Sequence, residues 1–190
     1  MTASTSSTQR YSGFTMAIHW LMAALVLGAF ATGLEGGDEV IFGAAGAWDR
    51  QLHETLGMLV FALMALRLVG RLVSRKPDAV EMPRWMHLLS KALQGVLYLL
   101  MIGVPMLGII GSGSEGHAVE LLGGLSFTPS LQVEADLLAL HKTMGDAVLW
   151  LAGLHAAAAL FHHFVLRDRV LSSMLPAGLA AKLPGASAVR

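Results

Sequence analysis

Eight histidines and no cysteine set the metal chemistry open to this chain of 190 residues. Without thiols there is no disulfide, thiolate metal site, iron–sulfur cluster or CxxCH haem attachment. Among the histidines in long apolar runs are His19, His53, His141 and His155. Two of them open alike. "LHETLGML" begins at Leu52 and "LHKTMGDA" at Leu140, each with a threonine two places and a glycine four places after its histidine. Imidazoles in apolar surroundings suit a metal or a flat metal-bearing ring, provided that other elements bring them together.

Those elements are legible in the hydropathy. The chain is 55% hydrophobic and 14% charged, with a mean hydropathy of +0.62, whereas soluble domains carry about 25% charge. The formal net charge is zero, which gives no footing for nucleic-acid binding. Apolar runs at about 14–34, 52–73, 88–111 and 137–166 are each long enough to cross a bilayer as a helix. Pro105 lies inside the third, where a lipid-embedded bundle tolerates it. The expected fold class is all-α, a transmembrane four-helix bundle. A polar N-terminal segment, 1–13, precedes the domain at 14–175, and a flexible C-terminal tail follows at 176–190. The start is uncharged over most of its length and no small-residue cleavage site follows, so the first span is read as retained.

Charge orients the spans. Of thirteen basic residues, Arg10, Arg67, Arg71, Arg75, Lys76, Arg84, Lys91, Arg167, Arg169, Lys182 and Arg190 fall on one side. Only Arg50 and Lys142 fall on the other, where Glu35, Asp38, Glu39, Asp49, Glu115, Glu120, Glu134 and Asp136 gather. The positive-inside rule then predicts both termini in the cytoplasm and the acidic connections outside.

In this topology the second and fourth spans run in parallel from the outside, so His53 and His141 share one depth near the outer surface. His155 follows His141 by 14 residues, about 21 Å along a helix and within about 40° of the same face. His19, roughly 8 Å inside the core from the opposite surface, comes to about the depth of His155. Four histidines thus resolve into two pairs, each suited to the two axial positions of a haem iron. A lone intramembrane histidine commonly bonds a partner helix instead, and a haem-free, histidine-lined transporter or structural bundle is the alternative of another class. Zinc is disfavoured, because two imidazoles without thiolates or carboxylates make a poor tetrahedral shell. Gly57 and Gly145, one turn after the outer histidines, are expected to let a flat ring approach the backbone.

The segments "RYSGFTMAIHW", "LHETLGMLVFALMALRLVGRL", "LYLLMIGVPMLGIIG", "LHKTMGD" and "GLHAAAALFHHFVLRDRVLSSMLP" resemble the bacterial cytochrome b561 family of four-helix dihaem membrane proteins, over about residues 10–176. The resemblance implies two non-covalent, bis-histidine haem b groups held at His19, His53, His141 and His155. It also implies an inner-membrane location and electron transfer from periplasmic superoxide to ubiquinone. Other members are membrane electron carriers, so a subunit fed by a protein redox partner is the alternative. The chain departs from the family pattern where the third span begins. Lys91 and Gln94 stand where relatives often carry two histidines, with His87 one turn earlier.

The remaining candidates have two readings each. Arg50 and Lys142 flank the outer histidines, either binding haem propionates and attracting an anionic reductant or forming an ordinary interfacial charge pair. Arg67 and Arg71 either meet inner propionates or snorkel to the surface. His162, on the face of His155, is a candidate for a quinone head group or a proton donor, with a surface-facing role as the alternative for it and for His163. Arg84 is a further quinone-side candidate. Trp20, Trp85 and Trp150 are read as interface or core residues.

Overall fold

A computed structural model describes residues 10–33, 47–73 and 80–183. Glu35, Asp38, Glu39, Arg75, Lys76, Arg190 and residues 1–9 of the polar N-terminal segment lie outside the described residues. Four long helices dominate: α1 at Gly13–Gly33, α2 at Ala47–Val73, α3 at Arg84–Ser114 and α4 at Leu137–Phe161. With the turn that prolongs α4 to Leu166, all four are long and apolar enough to cross a membrane. The protein is a multi-pass membrane protein with an all-α, four-helix bundle.

Local chemistry sets the helix starts. Ser12 Oγ accepts the Thr15 amide before α1 at 3.2 Å, and Asp136 accepts the Ala139 amide at the head of α4 at 2.8 Å; each satisfies a donor that a helix leaves open. α3 begins just after Pro83 and runs through Pro105 unbroken. The second helix starts before the apolar run does, so Arg50 and Gln51 lie in its first turns.

The helices pack as two neighbouring hairpins, α1 on α2 and α3 on α4, joined along α2 and α3. The apolar centre consists of Ile18 and Met22 from α1 and Val60 and Met64 from α2, with Tyr98, Met101 and Ile102 of α3 against it. Elsewhere large apolar side chains face outward: Leu27 is 60%, Leu99 72% and Trp150 79% exposed. Water would penalise that surface, whereas hydrocarbon accepts it.

The two ends of the bundle differ. One is closed by a ribbon absent from the sequence reading, β1 (Val119–Leu121) antiparallel to β2 (Leu125–Phe127), with Val119 opposite Phe127. The other end carries the described parts of both termini. There α4 passes into a π-helical turn, His162–Leu166, stopped by Arg167 in the left-handed conformation (φ 55°). A 3₁₀ turn at Ser172–Met174 and a short helix, α5 (Ala177–Ala180), follow. Of the tail at 176–190 that the sequence suggests, the structure describes 176–183, where α5 forms and Ala180 is buried; just before it, Tyr11 donates its amide to the Ser173 carbonyl at 3.1 Å.

Candidate functional site

Two pairs of imidazoles meet inside the bundle. Near the ribbon, His53 of α2 and His141 of α4 have ring centroids 5.7 Å apart, inclined at 81°. Towards the terminal end, His19 of α1 and His155 of α4 are 6.3 Å apart at 84°. Two metal–imidazole bonds of about 2 Å, each prolonged by about 1 Å to a ring centre, require centroids roughly 6 Å apart. Both pairs meet that requirement for one metal between two axial imidazoles. Among the described residues no three His, Asp or Glu side chains converge on a metal position. A pair without further protein ligands suits a centre whose remaining donors come from a porphyrin. A Cβ at Gly57 or Gly145 would meet no atom within 4 Å, leaving clear width one turn from each histidine of the ribbon-end pair.

Backbone carbonyls hold the ribbon-end rings. His53 Nδ1 lies 2.7 Å from the Ala29 carbonyl of α1, and His141 Nδ1 lies 2.8 Å from the Val104 carbonyl of α3. A carbonyl only accepts, so Nδ1 carries the proton in both and Nε2 is left for a metal. The sequence reading missed two residues that make this approach possible. A Cβ on Gly33 would stand 3.0 Å from Cε1 of His53, and one on Gly108 3.0 Å from Nδ1 of His141. A glycine at the depth of the histidine in the following helix is the signal that identifies them.

The same end of α2 is stapled to the ribbon. Glu54 accepts the Glu120 amide, Thr55 Oγ1 accepts the Leu122 amide at 2.9 Å, and Gln51 donates to the Glu120 carboxylate at 3.1 Å. Arg50 bridges Glu54 at 3.5 Å and Glu120 at 3.0 Å, and donates to the Ala118 carbonyl at 3.3 Å. Of its two sequence readings, the structure displays the interfacial charge pair. The hydrogen bond from Gln51 and then the Arg50 charge hold the Glu120 carboxyl below its ordinary range. Lys142 is exposed on α4.

At the terminal end, Arg67 and Arg71 converge on Tyr98 of α3, donating to its hydroxyl at 3.4 and 3.3 Å. Their guanidinium carbons lie 5.9 and 5.4 Å from the ring centre, within cation–π range. Arg67 is close enough for its charge to act on both His19 and His155. Tyr98 was not singled out from the sequence; a lone phenol in an apolar run, at the basic end of the bundle, is its signal.

The surface-facing alternative for His162 and His163 does not hold: they are 8% and 3% exposed. His162 Nδ1 is hydrogen-bonded to the Asp168 carboxylate, and His163 packs edge-on against Phe164 at 4.8 Å. His162 keeps the α-helical register, its amide bonding the Ala158 carbonyl; the π-helical turn ends beyond it at Arg167, after which Asp168 meets the His162 ring. Arg84, His87 and Lys91 are exposed on α3, and Gln94 donates to Ser90 Oγ at 3.1 Å. Trp20 donates its indole N–H to the Met174 carbonyl at 2.8 Å. Beside it an apolar groove of about 570 Å³ is lined by Met16, Ala17, Leu175, Pro176 and Leu179.

A membrane-spanning bundle with paired intramembrane imidazoles defines the class of b-type membrane cytochromes. The prokaryotic cytochrome b561 family profile matches residues 10–177, and the chain belongs to that family, whose members bind haem b and transfer electrons in membranes. It is 30% identical to "Cytochrome b561 homolog 2" of Escherichia coli, over 90% of this chain and 94% of that one. It is 31% identical to "Probable superoxide oxidase CybB" of Yersinia pestis, over 88% and 97%. It is likewise 31% identical to "Cytochrome b562" of Cereibacter sphaeroides, over 87% and 94%.

Proposed function

We propose that this protein is a dihaem oxidoreductase of the bacterial inner membrane, oxidising superoxide at the ribbon end and reducing ubiquinone. The ribbon end faces the periplasm and both termini face the cytoplasm. The observation that carries this reading is the pair of imidazole pairs at two depths, His53 with His141 and His19 with His155. The substrate is supported by the name of the Yersinia relative. Two superoxide anions yield two molecules of oxygen and two electrons, which reduce one quinone with uptake of two protons.

Haem iron bound at each pair supplies one-electron redox chemistry. The protein's residues do the rest. His53 and His141 present Nε2 because their Nδ1 protons are engaged by carbonyls. Arg50 is occupied by the ribbon, so attraction of an anion falls to the exposed Lys142, next to His141. Arg67 and Arg71 place positive charge at the terminal-end pair, where it would favour an added electron and hold haem propionates. The groove beside Trp20 suits an isoprenoid tail, and the His162–Asp168 pair, with Arg84 at the same end, offers a route for protons to a quinone head group.

The second reading is electron delivery by a protein donor. It draws on the exposed acidic residues Glu115, Glu134 and Asp136 at the ribbon end, which suit a basic partner. Stopped-flow mixing with superoxide in ubiquinone-loaded liposomes separates the two. Fast haem reduction with quinol formation, slowed several-fold in Lys142→Ala, is expected. Failure of superoxide to reduce the oxidised protein would leave the protein-donor reading in place.

A further inference from the structure

The ribbon-end histidines rest on the backbone of the helix that precedes each of them, and both do so in the same way. His53 is received by α1 and His141 by α3. In each case the accepting carbonyl stands four residues before a glycine, Ala29 before Gly33 and Val104 before Gly108. Residues four apart lie one above the other on one helix face. The carbonyl and the missing side chain therefore form one notch per helix. Into Gly33's notch the His53 ring fits so closely that a Cβ would be 3.0 Å from Cε1 and 3.1 Å from Nδ1. In Gly108's notch the corresponding distances to His141 are 3.0 Å from Nδ1 and 3.1 Å from Cε1. Carbon contacts settle near 3.5–4.0 Å, so a methyl group at either place pushes the ring off its carbonyl. Neither His19 nor His155 makes such a hydrogen bond among the described residues, and among the described glycines only Gly33 and Gly108 have a histidine ring this close.

We propose that Gly33 and Gly108 are positioning residues for the ribbon-end metal centre. They admit His53 and His141 to a backbone carbonyl that fixes the ring's rotation, its Nδ1 protonation and the basicity of Nε2. This rests on the haem reading of the histidine pairs. A donated Nδ1–H makes an imidazole a stronger electron donor, and outer partners of this kind affect affinity by 10–100-fold. The notch therefore both secures the centre and favours its oxidised state, at one pair and not at the other.

Gly33→Ala and Gly108→Ala test this in the purified full-length protein, with Gly28→Ala on α1 and Gly95→Ala on α3 as controls. A Cβ at Gly28 meets only Leu56 Cδ1, at 3.3 Å, and one at Gly95 meets nothing within 4 Å. Haem per chain, low-spin electron paramagnetic resonance signals and a redox titration are the readouts. Both notch variants should alter the same one of two components. It is either lost, so that haem per chain halves, or kept with a shifted low-spin signal and a raised potential. The other component and both controls should match the unmodified protein. Unaltered signals and potentials in both notch variants overturn the proposal, as do changes in different components. Where the unmodified protein itself holds no haem, the underlying haem reading fails instead. Should a variant not fold, redox-difference infrared spectra of the unmodified protein with ¹⁵N-labelled histidine decide. One ligand pair should show bonded Nδ1–H and the other should not, and identical bands from both pairs overturn the proposal.

Discussion

The two histidine pairs share their residue type and nearly their spacing, 5.7 against 6.3 Å, yet their surroundings have opposite character. The ribbon-end rings are tied to carbonyls, the negative ends of backbone dipoles. The terminal-end rings lie near the Arg67 charge, within a cluster completed by Arg71 and Tyr98. An anionic partner stabilises the oxidised state of a metal centre and a cation stabilises the reduced state. On the dihaem reading proposed above, one ligand set in two environments would give two potentials, the higher at the terminal end.

Removing ligands should have the largest effect on this comparison. His53→Ala and His141→Ala should each abolish the same component of the reduced spectrum, and His19→Ala and His155→Ala the other, each halving haem per chain by pyridine haemochrome assay. Loss of different components from His53→Ala and His141→Ala would break the pairing. A smaller effect is expected at the ribbon. Glu54 is half-buried and accepts the Glu120 amide while pairing with Arg50. Its removal leaves that amide without its acceptor and takes one of two carboxylates from Arg50, a cost of about 1–3 kcal/mol. Glu54→Ala should therefore speed hydrogen exchange at the Glu120 amide by roughly 10–100-fold and leave the terminal-end spectrum unchanged.

The helices were legible because apolar length is a property of the chain alone. Helical rise and equal depth in parallel spans were enough to place His53 with His141 and His19 with His155. What the sequence hid depends on relations between elements. Gly33 and Gly108 look like other membrane-helix glycines until the neighbouring ring is in place. Arg50 reads as a spare cation until β1 brings Glu120 to it. His162 and His163 read as surface residues at a helix end until the chain beyond the π-helical turn brings Asp168 to His162. The ribbon itself is three residues per strand, too short for alternation to register.

A third effect concerns the terminal end. A unit charge roughly 10 Å from a redox centre is worth about 1–2 kcal/mol at an effective dielectric near 20, which corresponds to some tens of millivolts for one electron. Arg67→Gln should lower the higher of the two potentials by about that amount and barely move the other, as read by redox titration. An equal shift in both would contradict the asymmetry described above.

The smallest effect is a pH response confined to the ribbon. Glu120 is held below its ordinary carboxylate range by Gln51 and Arg50. With the folded value depressed, its contribution is present above the unfolded pKa and is lost as pH falls through the folded one. Acidification from neutral pH should therefore leave the Glu120 carboxylate's contacts with Gln51 and Arg50 in place across the usual carboxylate range and release them only below that range. The check is ribbon-specific hydrogen exchange, corrected for the intrinsic pH dependence of exchange. Glu120→Gln should remove the transition by taking away the titrating group. Because the Glu120 carboxylate is partly open to solvent, its ion pair is weak, and the loosening should stay local. Spectra from His53 and His141 should not follow it, since their carbonyl partners on α1 and α3 do not titrate. A ribbon-end spectrum that changed with the ribbon would show that the stapled α2 end, and not the two notches, sets the geometry of that pair.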